Sequence, residues 1–454
     1  MIKQAVILDA GRGTKLWPFA QLRSKGMIPV GNQPVLRHQV DALRDAGVKK
    51  IIIVSVATHA GLVRNHFRND VEVEVINDCL SQGSAFSLHL ADFDIDDHFV
   101  ALHGDTLISP ADIAALVNSP ALPAVLVSPI GEKRRKQDFI SCSVGDGKVH
   151  ACWGHPRSRG EHFAAGFAFA QEHMNLLANN SGIFTSVEVG AMPAQEGYIE
   201  MSLNDYIRDG GTVAAIEAKE PVVDIDKPWH ILEANNVHKN RLMTQLTENR
   251  LAEGASIHPT AYVDGAVVLG EGSSIGRNVT VEGKLIVGKN TRIDNGAILR
   301  GDNIIGDNCT VRDGCLIESS TIGHKCYVGH GAEMDGVLFN GVYLFHYMEI
   351  SGVVGENVDI GAATVCGTLR FDDGQTRHRI KGRLEGEHSG CDGSFIGDYC
   401  RTGVNAILMP GVKMGVYSIC GAGVMLQEDL PDNTLVYAEQ TLHKKPWGPE
   451  KYGW

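Results

Sequence analysis

Apolar residues recur at every sixth position through the middle of the chain: Ile257, Val263, Leu269, Ile275, Val281, Val287, Ile293, Leu299, Ile305, Val311 and Ile317. Four positions after each comes a mostly small or slender residue, among them Ala261, Ser273, Val279, Thr291, Ala297, Cys309 and Cys315. A helix has no reason to keep a period of six, whereas a coil built from six-residue rungs does. Gly270, Gly276, Gly288 and Gly306 directly follow the apolar residue, where a tight corner needs backbone freedom. The period resumes at Val354, Ile360, Ile396, Thr402, Leu408 and Met414. The pattern predicts a parallel β-helix over residues 254–430, with inward side chains stacked coil on coil. A polar, glycine-rich, charged stretch at 366–395 interrupts it, and a long loop thrown out of a solenoid is usually functional or disordered.

Residues 1–228 have a different rhythm. Apolar strand-like runs at 4–8, 50–54, 71–76, 99–103 and 124–127 alternate with helix-patterned segments at 35–46 and 113–117. That alternation predicts an α/β domain with a mostly parallel, Rossmann-like sheet, whose ligands gather at the carboxyl ends of the strands. Pro228-Trp229 opens a helix expected to run to about residue 251, so that 229–253 connects the two domains. Residues 431–454 are read as a tail without periodicity.

Composition narrows the class. Hydrophobic content of 43% and charged content of 21% over 454 residues describe an ordinary soluble protein of two or three domains. No apolar run reaches membrane-spanning length, and the start lacks the small-residue cleavage site of a signal peptide, so a cytoplasmic protein without membrane contact is expected. A net charge of −13 argues against a nucleic-acid partner but leaves small phosphorylated substrates open, given local Lys, Arg and metal ions. The ten cysteines show no CxxC pair, and Cys309, Cys315, Cys326 and Cys400 fall on the small inward rung position, which reads as reduced filler.

The first strand runs into Leu8-Asp9-Ala10-Gly11-Arg12-Gly13-Thr14-Lys15-Leu16, a glycine-rich turn whose backbone N–H groups can approach a phosphate. No GK[ST] follows, so it is not a Walker loop, and GxGxxG is incomplete. Together with Arg23-Ser24-Lys25-Gly26-Met27-Ile28-Pro29-Val30 it resembles the signature of the sugar-1-phosphate nucleotidylyltransferases. Gln82-Gly83-Ser84-Ala85 resembles that family's nucleobase segment, Gly104-Asp105 its metal-binding Gly-Asp, and Asp224 through Asn235 its D-x-x-x-P-W-x-x-L-E-A-N. The resemblance implies Mg²⁺ held by Asp105 and Asp224, with Asp226 a near competitor for the second place. It implies Lys15 and Arg12 on the leaving pyrophosphate, Lys25 on the α-phosphate, and a substrate lining that includes Leu8, Ala10, Gly11, Gly13, Thr14, Gln82, Gly83, Ser84, His155, Gly166 and Glu200. The chemistry suits these residue types, because bringing two anions together is a matter of positioning and charge neutralisation. The chain departs from the pattern at Asp9, an anion near the nucleotide's expected place, at Lys15 for Arg, and at Gly154-His155-Pro156 for Glu-Lys-Pro.

The second half resembles the acetyltransferase half of bifunctional glucosamine-1-phosphate enzymes of archaeal type, through residues 354–364, 369–372, 396–398, 402–405, 410–412 and 421–424. That resemblance implies a left-handed β-helix, a homotrimer, and acetyl-CoA bound between subunits. It implies His346 as the base that takes the amine proton, with Ala363, Thr368, Lys381, Thr402 and Ala422 around acetyl-CoA or its acceptor. A rung histidine without catalytic role is the alternative, and Thr368 and Cys391 replace the family's Asn and Lys. The leading expectation is an enzyme that makes an NDP-sugar from an NTP (UTP first) and a sugar-1-phosphate, with acetyl transfer as a second activity. An ADP-glucose or GDP-mannose pyrophosphorylase, and a degenerate regulatory or scaffold homologue, are the alternatives.

Overall fold

A computed structural model describes residues 2–79, 82–91, 95, 97–131, 134–155, 158–180, 182–183, 196–386 and 392–451. The amino-terminal domain is built on a nine-stranded sheet. In chain order its strands are β1 Gln4–Asp9, β2 Lys50–Val56, β3 Val73–Asp78, β4 Phe99–His103, β5 Ala124–Pro129, β6 Ile140–Gly145, β7 Lys148–Gly154, β8 His162–Phe169 and β9 Val213–Glu217. Their spatial order is β3-β2-β1-β4-β8-β5-β9-β7-β6. The first four are parallel, as alternation with helices Val35–Asp45, Ala60–His66 and Ser84–His89 requires. The expected mostly parallel sheet does not extend across its whole width. The β6–β7 hairpin returns the chain so that β8 enters antiparallel between β4 and β5, and only β5–β9 is parallel beyond it. β1 and β4 are central and buried on both faces, which is why they read as unbroken apolar runs.

The repeat domain is a parallel β-helix. Val267, Leu269, Ile275, Val281, Val287, Ile293, Leu299, Ile305, Val311 and Ile317 form one continuous buried core, and Ile257 and Val263 pack on its open end. Partners in adjacent coils are first 18 residues apart, as in Ile275 with Ile293, so three six-residue rungs complete each coil. The spacing later falls to 16, as in Leu344 with Ile360, then jumps to 42 between Ile360 and Thr402, where the loop leaves the coil. Cys309 and Cys326 are more than filler. They continue a corner ladder in which Ser273 and Thr291 donate to the carbonyls of Gly288 and Gly306, and their thiols point to Gly323 O and Phe339 O. All nine described cysteines are free; Cys391 lies outside the described residues.

Two boundaries differ from expectation. The connecting helix spans Pro228–Gln245 and stops there, because Leu246 turns out of helical geometry to bury against Ala266 and Ile304. Arg250–Leu251 already pairs with the first coils. At the other end Leu435–Val436 pairs with Ile419–Cys420, so the solenoid runs past residue 430 into the expected tail.

The two domains share a core. Leu16, Phe19, Ile28, Val223, Ile225 and Trp229 pack against Val337, Phe339, Val353 and Phe395, which point outward from the coils, and against Ile380 of the inserted loop. Each large side chain buried this way contributes about 2 kcal/mol, so the arrangement of the two halves is held by packing. Among the described residues no helix is long and apolar enough to cross a membrane.

Candidate active site

The parallel strands β1 and β4 open a cleft of about 800 Å³ at their carboxyl ends. It is lined by Leu8, Ala10, Gly11, Arg12, Gly13, Thr14, Lys15, Lys25, Gln82, Gly83, Ser84, Asp105, His155 and Glu200, all from the predicted set. Gly13 has a φ of +64°, and a Cβ there would stand 2.6 Å from Ala20 Cβ. Gly83 has a φ of +101°, with no room for a side chain beneath Gly197 O. Both turns therefore present bare backbone to the cleft.

At the cleft floor, Lys25 Nζ donates to Asp105 at 2.7 Å and to Asp226 at 2.9 Å, while Lys15 Nζ donates to Asp226 at 2.9 Å. Burial works against the Lys25 charge, but Asp105, Asp226 and Asp224 hold its pKa well above the ordinary lysine value. The Asp226 carboxyl, which burial alone would push up, is held low by Lys25 and Lys15. Asp224 pairs with Thr106 across a short antiparallel bridge, and Ile225 N–H donates to Asp105 O at 2.9 Å. The Asp224 carboxyl is pushed well up, first by burial and then by the Asp105 charge. Two hard oxygen donors forced together suit a divalent cation, which would relieve their repulsion. Among the described residues no group of three or more His, Cys, Asp or Glu encloses a metal site. Mg²⁺ held by one or two carboxylates and substrate phosphates needs none.

Asp9 does not line the cleft. Its carboxylate is buried, accepting from Gly26 N–H at 3.0 Å and Ser55 Oγ at 3.2 Å, so it latches the Lys25 turn to the central strand. Burial pushes its pKa up to about 7. Gly154 has a similar explanation, since a Cβ there would lie 2.6 Å from Glu200 Oε1. Glu200 carries a carboxyl into the space that a side chain at 154 would occupy, and burial raises its pKa to about 7. His155 is depressed by burial and by the Lys15 charge, so it is neutral at pH 7. Gly166 lies in β8 against Leu102 and Leu116 and does not line the cleft. Sequence reasoning missed Ser87, His103, Ile140, Glu196 and Tyr198, which also line it.

A nucleotidyl transferase family model matches residues 4–125, and a GMPPB C-terminal domain model matches residues 246–369. Over 442 residues the chain is 33% identical to a bifunctional protein GlmU from Methanococcus maripaludis, covering 96% of this chain and 98% of that protein. The chain belongs to the bifunctional GlmU family. A second M. maripaludis GlmU is 27% identical over 452 residues, covering 96% of this chain and 98% of that protein. A bifunctional sugar-1-phosphate nucleotidylyltransferase/acetyltransferase from Sulfurisphaera tokodaii is 24% identical, covering 94% of this chain and 98% of that protein. The GlmU relationship thus embraces both halves.

Within this GlmU-family chain the residues predicted for acetyl transfer are dispersed. His346 is exposed on a coil corner, where its carbonyl accepts from Ala363 N–H, and Ala422 is exposed on a later coil. Thr402 points inward, with its hydroxyl 2.9 Å from that of Thr364, and is not available to a ligand. Thr368 lines a separate groove of about 550 Å³ between the connecting helix and the coils. Lys381 lines the amino-terminal cleft instead.

Proposed function

We propose that the chain transfers a nucleotidyl group from an NTP, UTP first, to a sugar-1-phosphate, releasing pyrophosphate. The observation that carries this reading is Lys25, held between Asp105 and Asp226 on the floor of a cleft walled by bare glycine backbone. Asp105 and Asp224 would hold Mg²⁺, which, when bound, supplies charge neutralisation between the reacting phosphates. Lys25 stays cationic across the working pH range and binds the phosphate under attack, while Lys15 and Arg12 hold the departing phosphates. The Gly11–Thr14 amides orient the triphosphate, Gln82, Gly83 and Ser84 flank the base, and Glu200 and His155 hold the sugar. The test is pyrophosphate release with Mg²⁺, each NTP and a panel of sugar-1-phosphates. Release undiminished by Asp105→Asn overturns the metal assignment, and absence of release with every pair overturns the reading.

The Sulfurisphaera relative's printed name includes an acetyltransferase, and with it we propose a second reading, N-acetylation of an amino-sugar phosphate by acetyl-CoA. On this reading the coils wind left-handed and three copies associate through them, so that His346 and Ala363 of one copy complete a site with Ala422 of another. The stacked pairs Tyr327–Tyr343 and Tyr399–Tyr417 on the coils, of which Tyr343, Tyr399 and Tyr417 are exposed, support a subunit contact. Thiol release from acetyl-CoA, lost in His346→Ala, is its measurement. A sedimentation mass of one chain would sink the trimer.

A further inference from the structure

The loop that interrupts the solenoid contains a β-hairpin, His378–Ile380 paired with Arg383–Glu385. Its two-residue turn is Lys381-Gly382, with φ of +46° and +79°, the left-handed pair that a tight hairpin requires. The hairpin is fastened to the amino-terminal domain on both strands. Ile380 is buried in the shared core, and the His378 ring lies 4.9 Å from Trp229 and 5.2 Å from Phe395. Glu385 is buried and pairs with Lys227 at 2.9 Å and Arg135 at 3.2 Å, while Lys227 also reaches Asp138 at 2.7 Å. These anchors aim the turn, and with it Lys381, into the nucleotidyl-transfer cleft.

Segment 135–139, which grips Glu385, also holds His155: Phe139 O accepts from His155 N–H at 3.0 Å, and the His155 ring lies 3.2 Å from Gln137 O. Lys381 and His155 line the same cleft, and His155 stands where the resemblance has the lysine of Glu-Lys-Pro. A phosphate monoester dianion needs a cation there, and a neutral imidazole supplies none.

We propose that Lys381, carried by the solenoid's hairpin, binds the phosphate of the monosaccharide 1-phosphate in the amino-terminal cleft. This rests on the nucleotidyl-transfer reading for the identity of the substrate. It makes the β-helix a part of the first active site, and Glu385 and Lys227 positioning residues for it.

The test uses the full-length chain and Lys381→Asn, since Asn accepts positive φ and spares the turn, with Lys381→Arg as the charge-keeping control. Lys381→Gly, which leaves a turn of two glycines, repeats the test should the Asn variant melt early. With Mg²⁺, NTP and whichever sugar-1-phosphate turns over, Lys381→Asn should raise the KM for sugar phosphate about tenfold or more. The KM for NTP should stay within about twofold, and Lys381→Arg should remain near wild type. Calorimetry with N-acetylglucosamine-1-phosphate, glucosamine-1-phosphate, glucose-1-phosphate and mannose-1-phosphate against the free sugars should show weakening confined to the phosphorylated ligands. An unchanged sugar-phosphate KM, or an NTP KM raised as much, overturns Lys381 while leaving the transfer reading intact. Sugar-phosphate binding that Lys381→Asn abolishes, in a wild-type chain that releases no pyrophosphate, overturns the transfer reading and upholds Lys381. A wild-type chain that neither binds nor turns over any of these sugar phosphates overturns both.

Discussion

The cleft of the α/β domain and the outer corners of the β-helix both bear sequence motifs, yet one chain assembles only the first. Strand-end residues of a parallel sheet converge because adjacent strands deliver their termini to one edge, so Gly11, Lys25 and Asp105 meet although far apart in sequence. Solenoid residues are dealt out to successive corners and coils, so His346, Thr368 and Ala422 face different surroundings within one copy. Open sheets concentrate residues at one edge, whereas a solenoid spreads them over successive coils.

Four substitutions sharpen or break this contrast. Asp105→Asn should lower pyrophosphate release about 10³-fold or more while leaving thermal unfolding nearly unchanged. A loss of stability matching the loss of rate would make Asp105 a structural residue.

Arg23→Ala comes next. Arg23 is buried between the domains, 3.0 Å from Asp398 and 3.1 Å from Glu356 of the solenoid, with its guanidinium 5.3 Å from the Phe339 ring centroid. Removing it strands the fully buried Asp398 carboxylate and should cost about 3 kcal/mol, read as a lower denaturant midpoint. Two separate unfolding transitions in the wild type would deny the shared core.

His346→Ala should lower thiol release from acetyl-CoA about 10²-fold with pyrophosphate release unchanged. A drop in pyrophosphate release instead would mean that the outer corner and the cleft are not independent.

Asp9→Asn should have the smallest effect. Its carboxyl is raised from 3.8 to about 7 in the folded chain, so the stability it contributes is full below 3.8 and falls as pH rises through about 7. The amide keeps the acceptor for Gly26 N–H without the buried charge. The variant should therefore be more stable than wild type at pH 8.5, by on the order of 1 kcal/mol, and should lose the fall in melting temperature between pH 5.5 and 8.5. An unchanged slope would place the Asp9 charge in contact with water.

Much of the cleft was legible because its residues are consecutive in short loops whose glycines and lysines have few other reasons to be there. Asp9, Gly154 and His155 depart from the family pattern. The structure accounts for two of the three, since the Asp9 carboxylate accepts from Gly26 N–H and Ser55 Oγ, and Glu200 fills the room left at Gly154. The hairpin had a readable signal: His378-Arg379-Ile380-Lys381-Gly382-Arg383-Leu384-Glu385 alternates about a Lys-Gly turn. So did the docking face, where apolar residues occupy outward as well as inward positions at 337–339, 353–354 and 395–396.

What the amino-acid order determined by itself is periodic or local. The six-residue rung, the α/β alternation and the phosphate turn follow from side-chain spacing and backbone freedom, which operate over a few residues. Only the tertiary structure decided that an aspartate beside the glycine turn faces inward, that the solenoid shares a core with the first domain, and that Lys381 belongs to the opposite half's cleft. Those outcomes depend on contacts between residues hundreds of positions apart, such as Arg23 with Asp398 and Lys227 with Glu385, whose geometry no local spacing encodes.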